Sequence, residues 1–128
     1  HHFLILMSSN NIINFVGSYQ NLEAIVKKAT EANKLVVLDF FATWCGPCRS
    51  LGSQLPQIAK ENTEVIFVKC DIDSNNEVAQ LFGISSVPNV KFLIWKENAI
   101  TIINNVSGCN VPEIRYKIGH LRQKLNLN

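Results

Sequence analysis

The chain has no apolar run approaching the ~20 residues that a helix needs to cross a bilayer, no block of like charge, and no dense, regular array of cysteines. The first absence predicts a soluble chain with no membrane span. The second leaves nucleic acid and anionic membranes without an electrostatic footprint, because 12 Lys and Arg against 10 Asp and Glu are spread along 128 residues and give a formal net charge of only +2. The third excludes a disulfide-stapled secreted scaffold: of 4 cysteines, only Cys45 and Cys48 are close, while Cys70 and Cys109 stand alone. Repeats, linkers and low-complexity segments are also missing. With 47% hydrophobic residues, the chain is long enough for one domain with a real core and too short for two ordinary ones.

His1-His2 reads as the end of an affinity tag and is set aside. Phe3-Leu4-Ile5-Leu6 reads either as the tail of a signal peptide's apolar region or as an apolar strand extension, which leaves the compartment open. Residues 1–11 are therefore assigned to a tag remnant and N-terminal extension, and residues 12–128 to a single domain.

What is present alternates between strand and helix patterns. Ile12 to Val16 reads as a short strand closed by Gly17-Ser18, and Leu22, Ile25, Val26 and Ala29 then recur at helical spacing. Leu35 to Ala42 is apolar on both faces, which predicts a central strand covered by helices on each side. Leu51, Leu55, Ile58 and Ala59 form a helical stripe, Val65 to Val68 a second buried strand, and Glu77 to Phe82 a short helix stopped by Gly83. Two strands, Val90 to Trp95 and Ile100 to Val106, are separated by Lys96-Glu97-Asn98 as in a hairpin. A last helix carries Val111, Ile114, Ile118, Leu121 and Leu125. The order β-α-β-α-β-α-β-β-α predicts a three-layer α/β/α domain with a mixed sheet, parallel strands first and an antiparallel hairpin at the end.

Trp44-Cys45-Gly46-Pro47-Cys48 falls at the junction between the central strand and a helix. Two cysteines at this spacing fit on one helical turn, close enough for a small-ring disulfide, and a helix N-terminus stabilises a thiolate through its unpaired N–H groups and dipole. The pattern suggests a dithiol that reduces disulfides. The competing reading is half of a zinc site, which would need two further ligands; Cys70, Cys109 and His120 offer no second pair at zinc-ligand spacing.

Three segments in the same order, Asp39-Phe40-Phe41-Ala42-Thr43-Trp44-Cys45-Gly46-Pro47-Cys48, Lys69-Cys70-Asp71-Ile72-Asp73 and Gly83-Ile84-Ser85-Ser86-Val87-Pro88, resemble the thioredoxin family. The resemblance runs from about Ile12 to the C-terminus and implies a thioredoxin fold. It also implies that Cys45 is the exposed nucleophile and Cys48 the resolving thiol, with Asp39 as proton acceptor and donor. Lys69 matches a family lysine near that carboxylate, although a lysine at a strand edge is usually just solvated. Asp39 between Leu38 and Phe40 fits its role on physical grounds, because burial raises a carboxyl pKa; an Asp on a wetter strand end is the plainer reading. Trp44, Gly46, Pro47, Val87, Pro88 and Gly108 would form the substrate face, with Trp44 shielding Cys45 and Pro88 matching the family's cis-proline. The plainer readings are a core Trp and an ordinary trans turn proline.

Pro47 indicates direction, since the family's oxidising and isomerising relatives carry His before the second cysteine. The resemblance further implies no bound cofactor, electrons from NADPH through a flavin thioredoxin reductase, and disulfide-containing proteins as substrates. A cytoplasmic location is the family default, with the secretory route or a vacuolar compartment the alternative if Phe3–Leu6 is a signal-peptide remnant. Two other functions stay open: a thioredoxin-fold subunit or binding module of a larger assembly, and an oxidase or isomerase of a secretory compartment. Four residues depart from the family pattern. Phe41 replaces a Trp, Ser53 a kinking Pro, Asn89 a Thr and Asn98 a hairpin Gly. Ser53 predicts a straighter helix. Cys70 reads as a small buried hydrophobe, and Cys109 either as another or as an exposed, modifiable thiol. The pairs Asn10-Asn11, Asn75-Asn76 and Asn104-Asn105 resemble the bias of proteins from AT-rich genomes, malaria parasites included.

Overall fold

Val36-Val37-Leu38-Asp39-Phe40 can all be buried only if the strand that carries them has neighbours on both edges and helices on both faces. The computed structural model, which describes residues 5–128 with side chains from residue 10 onward, places it so. The elements in chain order are β1 (Ile5–Ser9), β2 (Ile12–Phe15), α1 (Tyr19–Glu31), β3 (Val36–Phe41), α2 (Gly46–Glu61), β4 (Ile66–Asp71), α3 (Asn76–Leu81), β5 (Asn89–Lys96), β6 (Ala99–Ser107) and α4 (Val111–Lys124). They form a sheet of order β1-β2-β4-β3-β5-β6, in which β4 runs parallel to β2 and β3 while the β5–β6 hairpin joins β3 antiparallel. The three-layer fold expected from the sequence is therefore present.

Alternation along β3 divides the core. Val37 packs with Leu51, Leu55 and Ile58 of α2 and Ile114 and Ile118 of α4. Val36, Leu38 and Phe40 pack on the other face with Leu22 and Val26 of α1 and Val78 of α3. Each such leucine or phenylalanine, buried completely, stabilises the fold by about 1.5–3 kcal/mol.

The structure differs from the sequence reading in several places. A strand outside the expected order, β1, precedes Ile12 and pairs antiparallel with β2, bringing Ile5 opposite Phe15, so the Ile5-Leu6 half of the N-terminal apolar run forms the strand extension that was one of its two readings. His1-His2 and the Phe3-Leu4 half of the N-terminal apolar run lie outside the described residues. Val16 falls beyond β2 and is exposed, and Leu125 lies beyond α4 and is also exposed, so the apolar ladder of that helix ends at Leu121. The straighter helix expected from Ser53 does not follow, because α2 carries a proline elsewhere in its interior, Pro56. A proline there has no N–H for the carbonyl four residues back, so the break in the hydrogen-bond ladder falls three residues later than in the family pattern. At the β5–β6 turn, Glu97 and Asn98 both adopt positive φ, 53° and 64°, the geometry of the tight hairpin turns that usually recruit Gly or Asn.

Two asparagines hold the frame rather than the chemistry. Asn11 Nδ2 donates to the carbonyls of Ala59, Asn62 and Val65, tying the end of α2 to the sheet. Asn75 Nδ2 donates to Phe15 O and Asp71 O while its Oδ1 accepts from Gly17 N–H, which fastens the ends of β2 and β4 to the start of α3.

Candidate active site

The chain leaves β3 through Ala42, Thr43 and Trp44 and enters α2 at Cys45, which is extended (φ −94°, ψ 117°) and caps the helix. Cys45 Sγ accepts the Cys48 N–H at 3.2 Å, in the position where serine or aspartate oxygens usually sit. Pro47 fits the first helical turn, where its missing N–H deprives no carbonyl of a partner. Cys45 and Cys48 form a disulfide with their Cα atoms 5.2 Å apart. Both cysteines are nearly covered, at 6% and 4% exposure, so the exposed nucleophile expected at Cys45 is, in the disulfide, a recessed sulfur. They pack with Ala42 against Phe41, Ile72 and Val87.

Val87, before the cis peptide bond to Pro88, brings its carbonyl oxygen 3.7 Å from Cys45 Sγ. In the disulfide this sulfur carries no proton, so the approach is a contact; in the dithiol the S–H can donate. Gly108, with φ 79°, donates its N–H to Pro88 O at 2.9 Å and fixes the opposite rim. Trp44 is 67% exposed rather than part of the core, and its Nε1–H donates to Asp73 Oδ2 at 3.0 Å. The Trp44–Asp73 contact was not expected; Asp73 belongs to a matched segment, but nothing in the sequence couples it to Trp44.

Asp39 projects from β3 toward α2 and is 2% exposed, and its Oδ1 has no hydrogen-bond partner among the described residues. Burial pushes its pKa up to about 7, and the opposing charge of Lys69 holds it from going further. Lys69 is the register partner of Asp39 on β4, and its Nζ lies 5.0 Å from the centre of the Phe41 ring. Phe41, one of the four departures, thus offers an aromatic face to the lysine that accompanies the carboxyl. Asn89, another departure, starts β5 opposite Phe40 and Ser107, buried and with Oδ1 unpartnered among the described residues.

A cavity of about 310 Å³ opens beneath the first turns of α2, lined by Phe41, Ala42, Thr43, Cys48, Arg49, Gly52 and Lys69. Arg49 Nη1 donates to Thr43 O at 3.1 Å across its edge.

The remaining cysteines separate by burial. Cys70 is fully buried, and its thiol is pushed up to about 12, by burial first and then by Asp71 and Asp39, which disfavours the reactive thiolate. Cys109 is half-buried, with Sγ 3.9 Å from Ser50 Oγ. Among the described residues no group of three or more His, Cys, Asp or Glu is placed to hold a metal, and no helix is long and apolar enough to cross a membrane.

The family model described as Thioredoxin matches residues 14–118. Thioredoxin of Echinococcus granulosus is 41% identical over 103 residues, 74% of this chain and 92% of its own length. Thioredoxin of Geodia cydonium is 36% identical over 107 residues, 84% of this chain and 96% of its own. Among solved structures, Trichomonas vaginalis thioredoxin superposes with a TM-score of 0.80 at 39% identity, covering 88% of this chain and 99% of that one.

Proposed function

The chain belongs to the thioredoxin family and is a thiol–disulfide oxidoreductase acting through Cys45 and Cys48, and from this premise we propose the part that each residue of the site plays. Cys45, at the N-cap of α2, is the attacking sulfur: its thiolate gains the Cys48 N–H and the positive end of the helix. It attacks a disulfide sulfur of a protein substrate, forming a mixed disulfide and expelling the substrate's other sulfur as a thiolate. Cys48 then attacks Cys45 Sγ, and the second substrate sulfur departs, leaving Cys45–Cys48 oxidised.

Resolution requires that Cys48 lose a proton inside a covered site. Asp39, with a pKa near neutrality, is the group suited to accept it, and Lys69 adjusts that pKa. Trp44, Gly46, Pro47, Val87, Pro88 and Gly108 form the seat for an extended substrate segment beside the sulfur. Electrons return from NADPH through a flavin-containing thioredoxin reductase, with no cofactor held by the chain itself. With Pro47 between the cysteines, reduction of substrate is the favoured direction.

The observation that carries this reading is a disulfide seated at a helix N-terminus above a buried carboxyl. Its test is trapping: Cys48→Ser accumulates substrate linked to Cys45, whereas Cys45→Ser accumulates none and loses insulin reduction. Insulin reduction retained by Cys45→Ser would overturn the assignment.

A further inference from the structure

The cavity beneath α2 touches only one of the two reacting sulfurs' residues. Cys48 lines it, while Cys45, Trp44, Val87 and Pro88 do not, so it reaches the cysteine pair's second residue from a side other than the face on which a protein substrate would lie. At about 310 Å³ it is at the lower end of small-molecule pockets and far too small for a polypeptide segment with its flanks. Its only charged lining residues are cations, Arg49 and Lys69. Gly52, one turn after Cys48, leaves the helical wall without a side chain; a Cβ added there would lie 3.8 Å from Lys69 Nζ, in ordinary contact, so the cavity wall accepts a Cβ at this position.

We propose that this cavity admits small thiols and disulfides bearing carboxylates and delivers them to Cys48, giving the dithiol a second entrance selective for low-molecular-weight anions. The proposal rests on the reading that Cys45–Cys48 is the reacting disulfide. In the reductive direction a small thiolate bonds to Cys48 Sγ, the Cys45–Cys48 bond breaks, and its electron pair leaves on Cys45 Sγ, which the Cys48 N–H already faces. A second small thiolate bonds to the sulfur of the first, forming the small-molecule disulfide and releasing Cys48 as a thiolate that takes up a proton. Two small thiols are oxidised and one protein disulfide is reduced. In the reverse direction, reduced Cys48 attacks a small anionic disulfide held between Arg49 and Lys69.

The test isolates Cys48. Cys45→Ser keeps a good helix cap, and combining it with Cys109→Ser leaves Cys70, buried, as the only other thiol. This double variant is treated with dithiodiglycolate, bis(2-hydroxyethyl) disulfide and cystamine, which are anionic, neutral and cationic disulfides. Each rate is divided by that with N-acetylcysteine amide, and the modified residue is confirmed by peptide mass. The expected result is labelling at Cys48 with the anion favoured over the cation by about tenfold, a preference that collapses in high salt and with Arg49→Gln. Gly52→Leu, added to the same background, slows all three probes. Equal normalised rates, a preference that survives Arg49→Gln, or labelling unaffected by Gly52→Leu would overturn the proposal. In the otherwise natural chain, Arg49→Gln should leave insulin reduction driven by dithiothreitol intact. Failure of that reaction in the unaltered chain would instead sink the disulfide reading itself.

Discussion

Asp39 and Lys69 lie opposite each other across the parallel pair β3–β4, a nearly fully buried carboxyl beside a half-buried ammonium that also faces the Phe41 ring. The pairing is lopsided, because burial raises the Asp39 pKa more than Lys69 lowers it, so that the group titrates at about 7. A carboxyl poised there is half ionised at neutral pH, the condition that suits the proton-acceptor role proposed for it.

Stability should therefore fall as pH rises. The folded protein holds the Asp39 proton up to about pH 7, whereas the unfolded chain releases it near 3.8. Between these values the folded state binds more protons, so the contribution is fully present below about pH 4, is lost through pH 7 and is flat beyond. The three-unit gap corresponds to roughly 4 kcal/mol. Urea unfolding of the oxidised protein from pH 4 to 8 should show this decline, and Asp39→Asn should flatten it; a variant retaining the full slope would exclude Asp39 as its source.

Asp39→Asn should also slow substrate reduction at pH 7 by roughly tenfold to a hundredfold, the lower part of the range for a general base. Single-turnover measurement should place the loss in release of the second substrate sulfur, with formation of the mixed disulfide at Cys45 little changed. A slowed first step would mean that Asp39 acts on Cys45 instead.

Lys69→Met removes the charge that opposes burial, so the Asp39 pKa should move above its present value of about 7. Carboxyl carbon NMR of the oxidised protein reads this directly. An unchanged titration would show that Lys69 is simply solvated.

Trp44 is exposed and fixed by Asp73. Asp73→Asn leaves an amide in place of the accepting carboxylate and should raise KM for insulin several-fold with little change in kcat, while stability changes by about 0.5 kcal/mol or less, as for most surface substitutions. A fall in kcat with KM unchanged would contradict a role in seating substrate.

The sequence made some of this arrangement legible and hid the rest for identifiable reasons. The burial of Asp39 could be read from Leu38 and Phe40 at its sides and from a strand apolar on both faces. Its pairing with Lys69 could not, because register between strands thirty residues apart depends on how α2 packs, and only the family resemblance brought the two together. Trp44 was ambiguous for a related reason: an indole beside a strand end fits the core or the surface equally, and its hydrogen bond to Asp73 exists only once β3 and β4 are aligned. The asparagine pairs looked like compositional bias, yet Asn11 and Asn75 each bind backbone groups far away in the chain. Pro56 stands in the sequence three residues after Ser53, where the family pattern places its proline, so comparison at that one position does not show that α2 carries a proline at all.

Whether Cys45–Cys48 is a reductant is decided by its reduction potential, obtained by equilibration against glutathione and dithiothreitol. A reductant should give a value near that established for thioredoxin, about −270 mV. A value near about −180 mV, characteristic of a disulfide isomerase, would make the dithiol roughly a thousandfold weaker as a reductant and would contradict that role.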